Sequence, residues 1–531
     1  MIDVDRICVV IGRTRHKMVM AEIQEAAKRG ARLIEVRLDF LAKAPDFKRL
    51  LADKPCPLVA TVRRPVDGGR WSGPEEARRM LLRQAVVGGF DWVDLETDVA
   101  DVIPRFGKVR RIVSYHNMRE TPADLEDIHK RMCLQDADVI KVAVRAQQPT
   151  DSLRVLALMD KPGKPTVGIA MGDMGFCTRI LAAKYGAPFT YAAFNKERGI
   201  APGMPSFTEL QHVYHYDKID ADTKVYGVIG DPIGHSLSPL IHNQAFRSAG
   251  LNCVYVPFRV PRPELTTFLK DFEAIPVRGY SVTIPHKEAV VAAANHQDEA
   301  VIETQAANTL VRETDGLHAY NTDYQGFLDA LTVHYRSREQ QTEPSPHAEG
   351  VMETPRGRPM DFLGSSPVHD KTVLVLGAGG VARAVIHALR HEGALVTITN
   401  RTPERGLTLA EEVGCRNIDW AARHSVICDI LVNCTSVGMH PNLDEMPVHP
   451  SFLKPGMTVF DAIYTPETTL LVKEARDRGC HVITGVQLFV RQAALQFQLF
   501  TGRPAPLDLM HKAVKRSLSP VLLRPEEEVE E

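Results

Sequence analysis

The sequence predicts an α/β protein with an N-terminal (β/α)8 TIM barrel followed by further α/β domains, the last of which has a Rossmann pattern. Three observations predict this architecture. Eight short apolar runs alternate with amphipathic stretches before residue 200, a polar stretch at 215–224 precedes new βα repeats, and an apolar strand enters a glycine-rich turn at 373–382. A chain of 531 residues is long enough for two or three domains.

The eight apolar runs are the predicted strands of the barrel, and helical sequence lies between most of them. They cover residues 7–11, 33–40, 58–63, 92–96, 111–116, 139–144, 166–170 and 189–194. We therefore assign residues 1–214 to the barrel and 215–224 to a linker. Repeats of βα character fill 225–330, a βαβ pattern fills 371–486, and helices fill 487–520. Residues 337–370, rich in Pro, Ser, Glu and Gly, are expected to be a disordered insertion.

The composition excludes several classes of function. Lys and Arg total 64 against 66 Asp and Glu, so neither nucleic acid nor a membrane surface is expected as a partner. No apolar run approaches the ~20 residues of a membrane span. The nine cysteines lack metal-ligand spacing, which predicts reduced thiols, no metal and a cytoplasmic enzyme. The first residues predict neither a signal peptide nor a transit peptide.

Charged side chains share one face of several barrel strands. Side chains alternate between the two faces of a strand, so Glu35 and Arg37 lie together, and Lys141 lies opposite two aliphatic neighbours. If the aliphatic side chains pack against the outer helices, the charges point into the lumen, where they are costly unless paired or functional. A structural salt-bridge network would explain Glu35, Arg37 and Asp94, but it explains Lys141 and His116 poorly.

A lysine inside a barrel has a specific chemical use. Desolvation and cations such as Arg63 are expected to lower the pKa of Lys141, so that its neutral amine can attack a ketone. His116, one strand earlier, is suited to move a proton beside the resulting imine. Arg63 and Arg179 offer bidentate anchors for a carboxylate. These residues alone indicate a lysine-dependent aldolase or dehydratase.

A set of ordered motifs narrows this class, because together they resemble type I 3-dehydroquinate dehydratase over nearly all of residues 1–210. The motifs are Glu35-Val36-Arg37-Leu38-Asp39, Thr61-Val62-Arg63, Ser114-Tyr115-His116-Asn117, Ile140-Lys141-Val142-Ala143 and Gly175-Phe176-Cys177-Thr178-Arg179. The resemblance implies that Lys141 forms the Schiff base with substrate and that His116 is the general acid and base. It implies that substrate and the lysine–histidine pair are held by Glu35, Arg37, Arg63 and Arg179.

The sequence departs from this family in two places. Asp67 stands where the family usually has Glu. The late substrate loop, typically Ser-Ala-Pro-Gly-Gln, is here Ile200-Ala201-Pro202-Gly203-Met204. The turn is kept while both polar contacts are lost, and each lost hydrogen bond costs about 1–3 kcal/mol. We therefore predict a working but weakened dehydratase.

The glycine-rich turn has the features of a dinucleotide site. Gly377, Ala378, Gly379 and Gly380 follow the strand at 373–376 and satisfy G-x-G-x-x-A, which lets a backbone approach a pyrophosphate at a helix N-terminus. The next strand ends in Asn400-Arg401-Thr402, with Arg405 one turn later. NAD enzymes usually carry an acid there. Arg401 is suited instead to a 2′-phosphate, so the predicted cofactor is NADP(H).

Motifs on both sides of this turn resemble shikimate 5-dehydrogenase over 223–515 apart from the insertion. The fold implied is an α/β substrate domain at 225–330, completed by helices 487–520, and a Rossmann domain at 371–486. The resemblance implies that Lys287 and Asp323 are the catalytic pair and that Gly485 lies near the returning helix. Substrate contacts are implied for Ser236 and Ser238 at the carboxylate and for Thr283, Asn308 and Gln492 at the ring hydroxyls.

The function predicted is a bifunctional enzyme that dehydrates 3-dehydroquinate to 3-dehydroshikimate and reduces this to shikimate. Its expected partners are these small molecules, and no particular oligomer is predicted. Two alternatives stay open: a catabolic quinate/shikimate dehydrogenase, which Arg401 disfavours because such enzymes generally use NAD, and a metabolite-sensing descendant. A sensor would be free to lose Lys141, His116, Lys287 and Asp323, and all four are present.

Overall fold

The computed structural model describes residues 5–161, 163–342 and 366–519. The chain forms two compact units, Met1–Tyr280 and Ser281–Glu531. Most of the predicted insertion at 337–370 lies outside the described residues, as does residue 520 of the last predicted helix. Residues 337–342 form the end of a helix. Within the described ranges, no helix combines the length and apolar character needed to cross a membrane.

The first unit begins with eight parallel strands that form a nearly closed barrel. The strands are β1 (Ile7–Ile11), β2 (Leu33–Arg37), β3 (Leu58–Thr61), β4 (Trp92–Glu96), β5 (Arg110–Asn117), β6 (Val139–Arg145), β7 (Thr166–Met171) and β8 (Thr190–Ala193). Their hydrogen-bonded order is β7-β6-β5-β4-β3-β2-β1-β8, so each predicted apolar run supplies one strand.

The barrel helices lie between the strands, as the βα pattern predicts. They are α1 (His16–Lys28), α2 (Phe47–Leu51), α3 (Glu75–Gly88), α4 (Leu125–Cys133), α5 (Asp151–Met159) and α6 (Phe176–Leu181). Each longer helix buries one apolar stripe; α1, for example, buries Val19, Ile23 and Ala26. The predicted linker is ordered, because Tyr216 within it is fully buried.

Two strands, most of a third strand and two helices complete the described architecture of the first unit. Strands β9 (Lys224–Gly230) and β10 (Cys253–Arg259) pair in parallel, with α7 (Ser238–Ser248) between them in sequence. Helix α8 (Leu265–Asp271) follows, and β11 (Val277–Val282) runs across the boundary between the units. This is the start of the βα repeats expected from residue 225.

The second unit contains three strands of a mixed sheet, here called the small sheet, and a Rossmann sheet. In the small sheet, β12 (His296–Gln297) lies parallel to β14 (Gly316–Tyr320), which forms an antiparallel hairpin with β13 (Thr309–Glu313). Two helices flank these strands: α9 (Glu299–Thr304) and α10 (Thr322–Thr342).

The Rossmann sheet has six parallel strands in the order β17-β16-β15-β18-β19-β20, the 3-2-1-4-5-6 order of dinucleotide-binding domains. They are β15 (Thr372–Leu376), β16 (Leu395–Thr399), β17 (Arg416–Ile418), β18 (Ile430–Asn433), β19 (Thr458–Asp461) and β20 (His481–Ile483). The helices are α11 (Gly380–His391), α12 (Pro403–Val413), α13 (Leu470–Asp477), α14 (Gly485–Thr501) and α15 (Leu507–Leu518). Helix α14 packs on α10.

Candidate active sites

The first candidate site surrounds Lys141 in the barrel lumen. Its Nζ lies 3.0 Å from Asp94 Oδ2 and 3.7 Å from Glu35 Oε2, and 4.0 Å above the ring centroid of Tyr191. From the sequence, we expected cations such as Arg63 to be the neighbours that affect the Lys141 amine. The structure instead places two carboxylates beside the amine and directs Arg63 to other partners. The lysine is therefore held in place by charge and by an aromatic face.

Asp94 is the centre of the charged network. It accepts hydrogen bonds from Arg63 Nη2 at 2.7 Å and from Ser114 Oγ at 2.6 Å, while Arg63 Nη1 also donates to Glu96 at 2.9 Å. Burial would raise the pKa of Asp94, but the charges of Arg63 and Lys141 outweigh burial and hold that pKa well below its usual range. Asp94 is thus an anion at neutral pH that orients the lysine.

His116 lies on the same strand face as Ser114, which is the register partner of Lys141. Its Nδ1 is buried and has no hydrogen-bond partner. Burial, reinforced by the positive charges of Arg63 and Lys141, lowers the pKa of His116 well below its usual value. A neutral imidazole with a free ring nitrogen is the form that can accept a proton.

The arginines of the lumen differ in how many of their N–H donors already form hydrogen bonds within the protein. Arg37 is held by Asp39 through two hydrogen bonds of 2.9 and 2.8 Å. Arg179, at 1% exposure, has Nε and Nη1 buried without a hydrogen-bond partner. Burial lowers the pKa of Arg179 to about 10, so it is still a cation at neutral pH. Buried donors of this kind are normally satisfied, which makes Arg179 the better-prepared anion anchor.

A small cavity of about 60 Å³ joins these groups. It is lined by every barrel residue predicted for the site: Glu35, Arg37, Arg63, His116, Lys141 and Arg179. Ile200 and Met204 line it too, and both pack against the apolar cluster of the lumen. The substituted loop therefore contributes apolar side chains at positions where the family has hydrogen-bonding groups.

The second candidate site lies in the second unit around Lys287. Its Nζ donates to Asp323 Oδ2 at 2.5 Å, and both side chains are largely buried. Lys287 follows β11 in a loop whose backbone is tied down because Ala307 N donates to Lys287 O at 2.8 Å. Asp323 occupies the first turn of α10. Two segments distant in sequence thus deliver the predicted catalytic pair into contact.

An amide network extends from this pair. Asn308 Oδ1 accepts from Thr322 N at 2.8 Å, and its Nδ2 lies 3.4 Å from Gln492 Oε1 on α14. Gln496, one turn later, donates to Asn308 O at 3.1 Å. Thr283, half-buried, stands at the start of the Lys287 loop. The structure therefore brings Asn308 and Gln492 together and presents amide groups that can bind hydroxyls, while the substrate contact of Thr283 stays a prediction.

The glycine turn after β15 fits a dinucleotide. Gly377 has φ +107°, and a Cβ there would lie 3.0 Å from Cys434 O. A Cβ on Gly380 would lie 2.9 Å from Lys287 Cδ, whereas one on Gly379 would meet nothing within 4 Å. Ala378 is buried. The turn thus leaves an open backbone surface at the N-terminus of α11, next to the lysine.

The end of β16 supplies the second half of the predicted cofactor site. Asn400 Nδ2 donates to Thr402 O at 2.8 Å, and Thr402 precedes α12. Arg401 is exposed, and Arg405 lies 3.7 Å from Glu288. Gly485 begins α14, where a Cβ would meet Ile463 O at 2.3 Å, so this glycine is required by packing.

Ser236 and Ser238, in the first unit, stand at the start of α7. Ser238 N donates to Ser236 Oγ at 3.3 Å, and Ser238 is buried. The expected helix N-terminus is present, and the carboxylate-binding role of both serines stays a prediction.

Two residues near the sites were missed by the sequence reasoning. Tyr191 lies on the apolar strand β8, where nothing in the pattern distinguishes it. Asp461 ends β19, and burial raises its pKa to about 6 although Thr469 and Asn433 donate hydrogen bonds to it. A lone acid at the carboxyl end of a buried strand is a signal that could have identified Asp461.

Comparison with known proteins matches these domains in order. The family model described as type I 3-dehydroquinase matches residues 7–221, and models for the shikimate dehydrogenase substrate binding domain, shikimate/quinate 5-dehydrogenase and its C-terminal domain match 228–310, 363–444 and 485–515. A chloroplastic bifunctional 3-dehydroquinate dehydratase/shikimate dehydrogenase of Arabidopsis thaliana is 38% identical over 509 residues, covering 93% of this chain and 81% of the relative. The chain belongs to this bifunctional family.

Other relatives match the second half of this chain. Proteins named shikimate dehydrogenase (NADP(+)) from Moorella thermoacetica and Methanothermobacter thermautotrophicus are 35% and 36% identical to it. Each match covers 57% of the chain, and 96% and 99% of the respective relatives. The predicted fold class and the predicted union of a lyase with an oxidoreductase are confirmed. The cytoplasmic location stays a prediction, because the Arabidopsis relative is named as chloroplastic.

Proposed function

We propose that this chain converts 3-dehydroquinate to 3-dehydroshikimate in the barrel and reduces that product to shikimate, with NADPH, at the Lys287 site. Two consecutive steps of aromatic biosynthesis would then reside on one chain. The single observation that carries the proposal is the presence of two complete reactive pairs. Lys141 and His116 line one cavity, and Lys287 donates to Asp323 at 2.5 Å.

In the barrel, the Lys141 ammonium first gives up a proton and its amine attacks the ketone carbon. That proton returns as water leaves and the protonated imine, an iminium, forms. His116 takes the proton from the adjacent carbon, and the electron pair moves into the iminium to give an enamine. The enamine expels the hydroxyl on the next carbon, which departs as water with the proton from His116. Water then hydrolyses the imine, releasing product and Lys141. The balance is one water lost per substrate.

The charged residues around Lys141 have two different proposed roles, which are to bind the substrate and to position the lysine. Arg179 is the proposed carboxylate anchor, because its buried donors have no partner, whereas Arg63 already donates to Asp94, Glu96 and Ser114. Arg37, Arg63 and Glu35 then position the lysine and the substrate hydroxyls. The apolar loop at 200–204 gives this site fewer polar contacts than the family pattern, so the proposed dehydratase is weakened.

At the second site, the Lys287 ammonium can donate a hydrogen bond to the substrate carbonyl, and Asp323 holds that ammonium in position. The pair supplies the proton that the carbonyl oxygen needs as it becomes a hydroxyl. Asn308, Thr283 and Gln492 offer the polar atoms for ring hydroxyls. NADPH, when bound, supplies the hydride.

The proposed cofactor preference rests on two segments. The turn from Gly377 to Gly380 would hold the pyrophosphate, with Asn400 and Thr402 shaping the adenosine side. Arg401, exposed at the end of β16, would pair with the 2′-phosphate, with Arg405 nearby. The relatives named shikimate dehydrogenase (NADP(+)) support this assignment. The same arginine disfavours a catabolic NAD-dependent enzyme.

The test is a coupled assay with 3-dehydroquinate and either NADPH or NADH. Lys141→Ala should abolish cofactor oxidation from 3-dehydroquinate and the adduct trapped by borohydride, while reduction of added 3-dehydroshikimate persists. Lys287→Ala should abolish the reduction and spare the dehydration. Lys130→Ala, at an exposed lysine, is the matched control. A folded variant that loses both activities, or a wild type that oxidises NADH faster than NADPH, would contradict the proposal.

A further inference from the structure

The second unit carries a histidine–aspartate cluster that the proposed chemistry does not use. His296 Nε2 lies 2.9 Å from Asp315 Oδ2, and His318 Nε2 lies 2.8 Å from Asp315 Oδ1. The two imidazole centroids are 4.4 Å apart. One ligand atom from each residue lies within 4.8 Å of the other two. Three groups able to bind a metal ion thus converge on one point.

The backbone holds this convergence in place. His296 on β12 is the register partner of His318 on β14, so the two side chains are cross-strand neighbours on one face. Backbone hydrogen bonds flank the pair, from Asn295 N to Leu317 O at 2.7 Å and from Asp298 N to Ala319 O at 3.0 Å. The ligand atoms are therefore carried by paired strands rather than by a free loop.

The third group comes from the tight turn of the adjacent hairpin. Asp315 lies between β13 and β14, and Gly316 after it has φ +128°, a conformation that L side chains rarely adopt. Asn295 Oδ1 accepts from Leu317 N at 2.8 Å, which ties the turn to the segment before β12. The carboxylate is thereby presented to both imidazoles at once.

The donor set selects a class of cation. Two imidazole nitrogens with one carboxylate suit borderline divalent metals such as Zn²⁺, whereas Mg²⁺ and Ca²⁺ prefer oxygen ligands alone. The side chains of His296 and Asp315 are each 55% exposed and that of His318 is 22% exposed. Water can therefore fill the remaining coordination positions. Each ring would keep one proton by moving it to Nδ1 as Nε2 binds the metal.

We propose that His296, Asp315 and His318 form a Zn²⁺-class metal site on the small sheet, separate from both proposed catalytic centres. The metal would link β12 to the β13–β14 turn. It would stabilise the folded second unit in proportion to its free concentration, because it binds the folded form preferentially. This site does not depend on the proposed reactions, since none of its three residues contributes to them.

The test is calorimetric titration of the full-length, EDTA-treated protein with ZnCl₂, with thermal unfolding measured in parallel. The expected result is one bound equivalent at this site and a midpoint that rises with Zn²⁺. His296→Gln, His318→Gln and Asp315→Asn should each weaken binding of that equivalent by about tenfold or more. Excess Mg²⁺ should not compete.

The matched control is His369→Gln, because His369 is a half-exposed histidine paired with a single carboxylate, Asp370, at 3.0 Å. The affinity of the His369→Gln variant for Zn²⁺ should equal that of the wild-type protein. Far-UV circular dichroism and 3-dehydroshikimate reduction verify that each variant is folded. Absence of a bound equivalent would overturn the proposal. An equivalent that persists unchanged in all three site variants, as expected if cysteine thiols bound the metal, would overturn it as well.

Discussion

His116 is the residue whose surroundings set the expected pH dependence of the dehydratase. The Nδ1 atom of its ring is buried. Each of the positive charges of Arg63, Lys141 and Arg37 disfavours a second proton on the imidazole. Asp94 acts in the opposite direction but does not outweigh burial and the cations. The pKa of His116 therefore lies below the usual value near 6.5, and the ring stays neutral in mildly acidic solution.

We accordingly expect the acidic limb of kcat/KM for 3-dehydroquinate to lie below pH 6.5. The measurement is a pH–rate profile of the dehydratase alone, which reports ionisations of the free enzyme. In Arg37→Gln one of the cations that lower the pKa of His116 is gone, so the limb should move to higher pH. A wild-type limb at or above pH 6.5 would show that His116 is not the titrating base.

Residue-scale pairing shows what sequence reasoning can and cannot supply. Alternation along β2 and β6 was sufficient to predict that Glu35 and Lys141 point into the lumen. It did not predict that Arg63 donates hydrogen bonds to Asp94 and Glu96, because these contacts depend on the register between β3 and β4. Among the arginines predicted for the lumen site, Arg179 is identified as the one with buried donors lacking a partner only when its contacts in three dimensions are known.

At the scale of elements, the loop at 200–204 is the clearest departure from the family pattern. Ile200 and Met204 pack against the lumen cluster and line the cavity beside Lys141. Apolar side chains can pack against the lumen cluster, but they cannot form hydrogen bonds with substrate hydroxyls. The loop is therefore expected to limit transition-state stabilisation rather than stability.

Restoring the polar pair tests this expectation. Ile200→Ser with Met204→Gln should raise kcat/KM for 3-dehydroquinate about tenfold or more, because each hydrogen bond is worth about 1–3 kcal/mol and about 1.4 kcal/mol is tenfold in rate. Reduction of 3-dehydroshikimate should be unchanged. The control is Ile200→Val with Met204→Leu, which keeps the loop apolar and should leave kcat/KM unchanged. No gain in the polar variant would mean that the loop does not limit the rate.

The turn between β15 and α11 allows a structural requirement to be separated from cofactor binding. Gly377→Ala forces a Cβ into a left-handed conformation and against Cys434 O, so we expect a loss of about 1–2 kcal/mol in stability and a midpoint lower by about 2–4 °C. Gly379→Ala meets no protein atom within 4 Å. It should keep the wild-type midpoint yet raise KM for NADPH. Equal midpoints in thermal unfolding of the two variants would contradict the strain argument.

Element boundaries also differ from the sequence expectation where local chemistry intervenes. The run at 33–40 was predicted as one strand, but β2 ends at Arg37 and a 3-10 turn spans Leu38–Phe40. Asp39 in that turn accepts two hydrogen bonds from Arg37 and one from Arg70 N. This local ion pair lies within the turn, and apolar periodicity alone does not predict it.

For the whole molecule, the catalytic lysines of the two proposed reactions lie on different units, Lys141 on the first and Lys287 on the second. Each lysine is held by carboxylates of its own unit, Asp94 and Glu35 for one and Asp323 for the other. Removing either lysine therefore leaves the other site's contacts intact.

Mixing the two single variants should restore activity that neither has alone. Lys141→Ala supplies an intact reductase and Lys287→Ala an intact dehydratase, and 3-dehydroshikimate is a small soluble acid that can pass between molecules. An equimolar mixture with 3-dehydroquinate and NADPH should produce shikimate, measured by chromatography. The double variant Lys141→Ala/Lys287→Ala is the control and should produce none. A mixture without product would indicate that the intermediate is not released.

The sequence by itself determined the order of the domains, the barrel strands, the glycine turn and the lysines expected to act, because apolar periodicity and motif spacing are local properties of the chain. Only the tertiary structure decided which charges pair, which arginine keeps free donors and how His296, Asp315 and His318 meet. Those contacts join residues far apart in sequence or depend on strand register, and the free energy of each depends on its neighbours in space. The sequence spacing predicted no metal-ligand cluster, whereas the pairing of β12 with β14 brings together the residues of the proposed metal site.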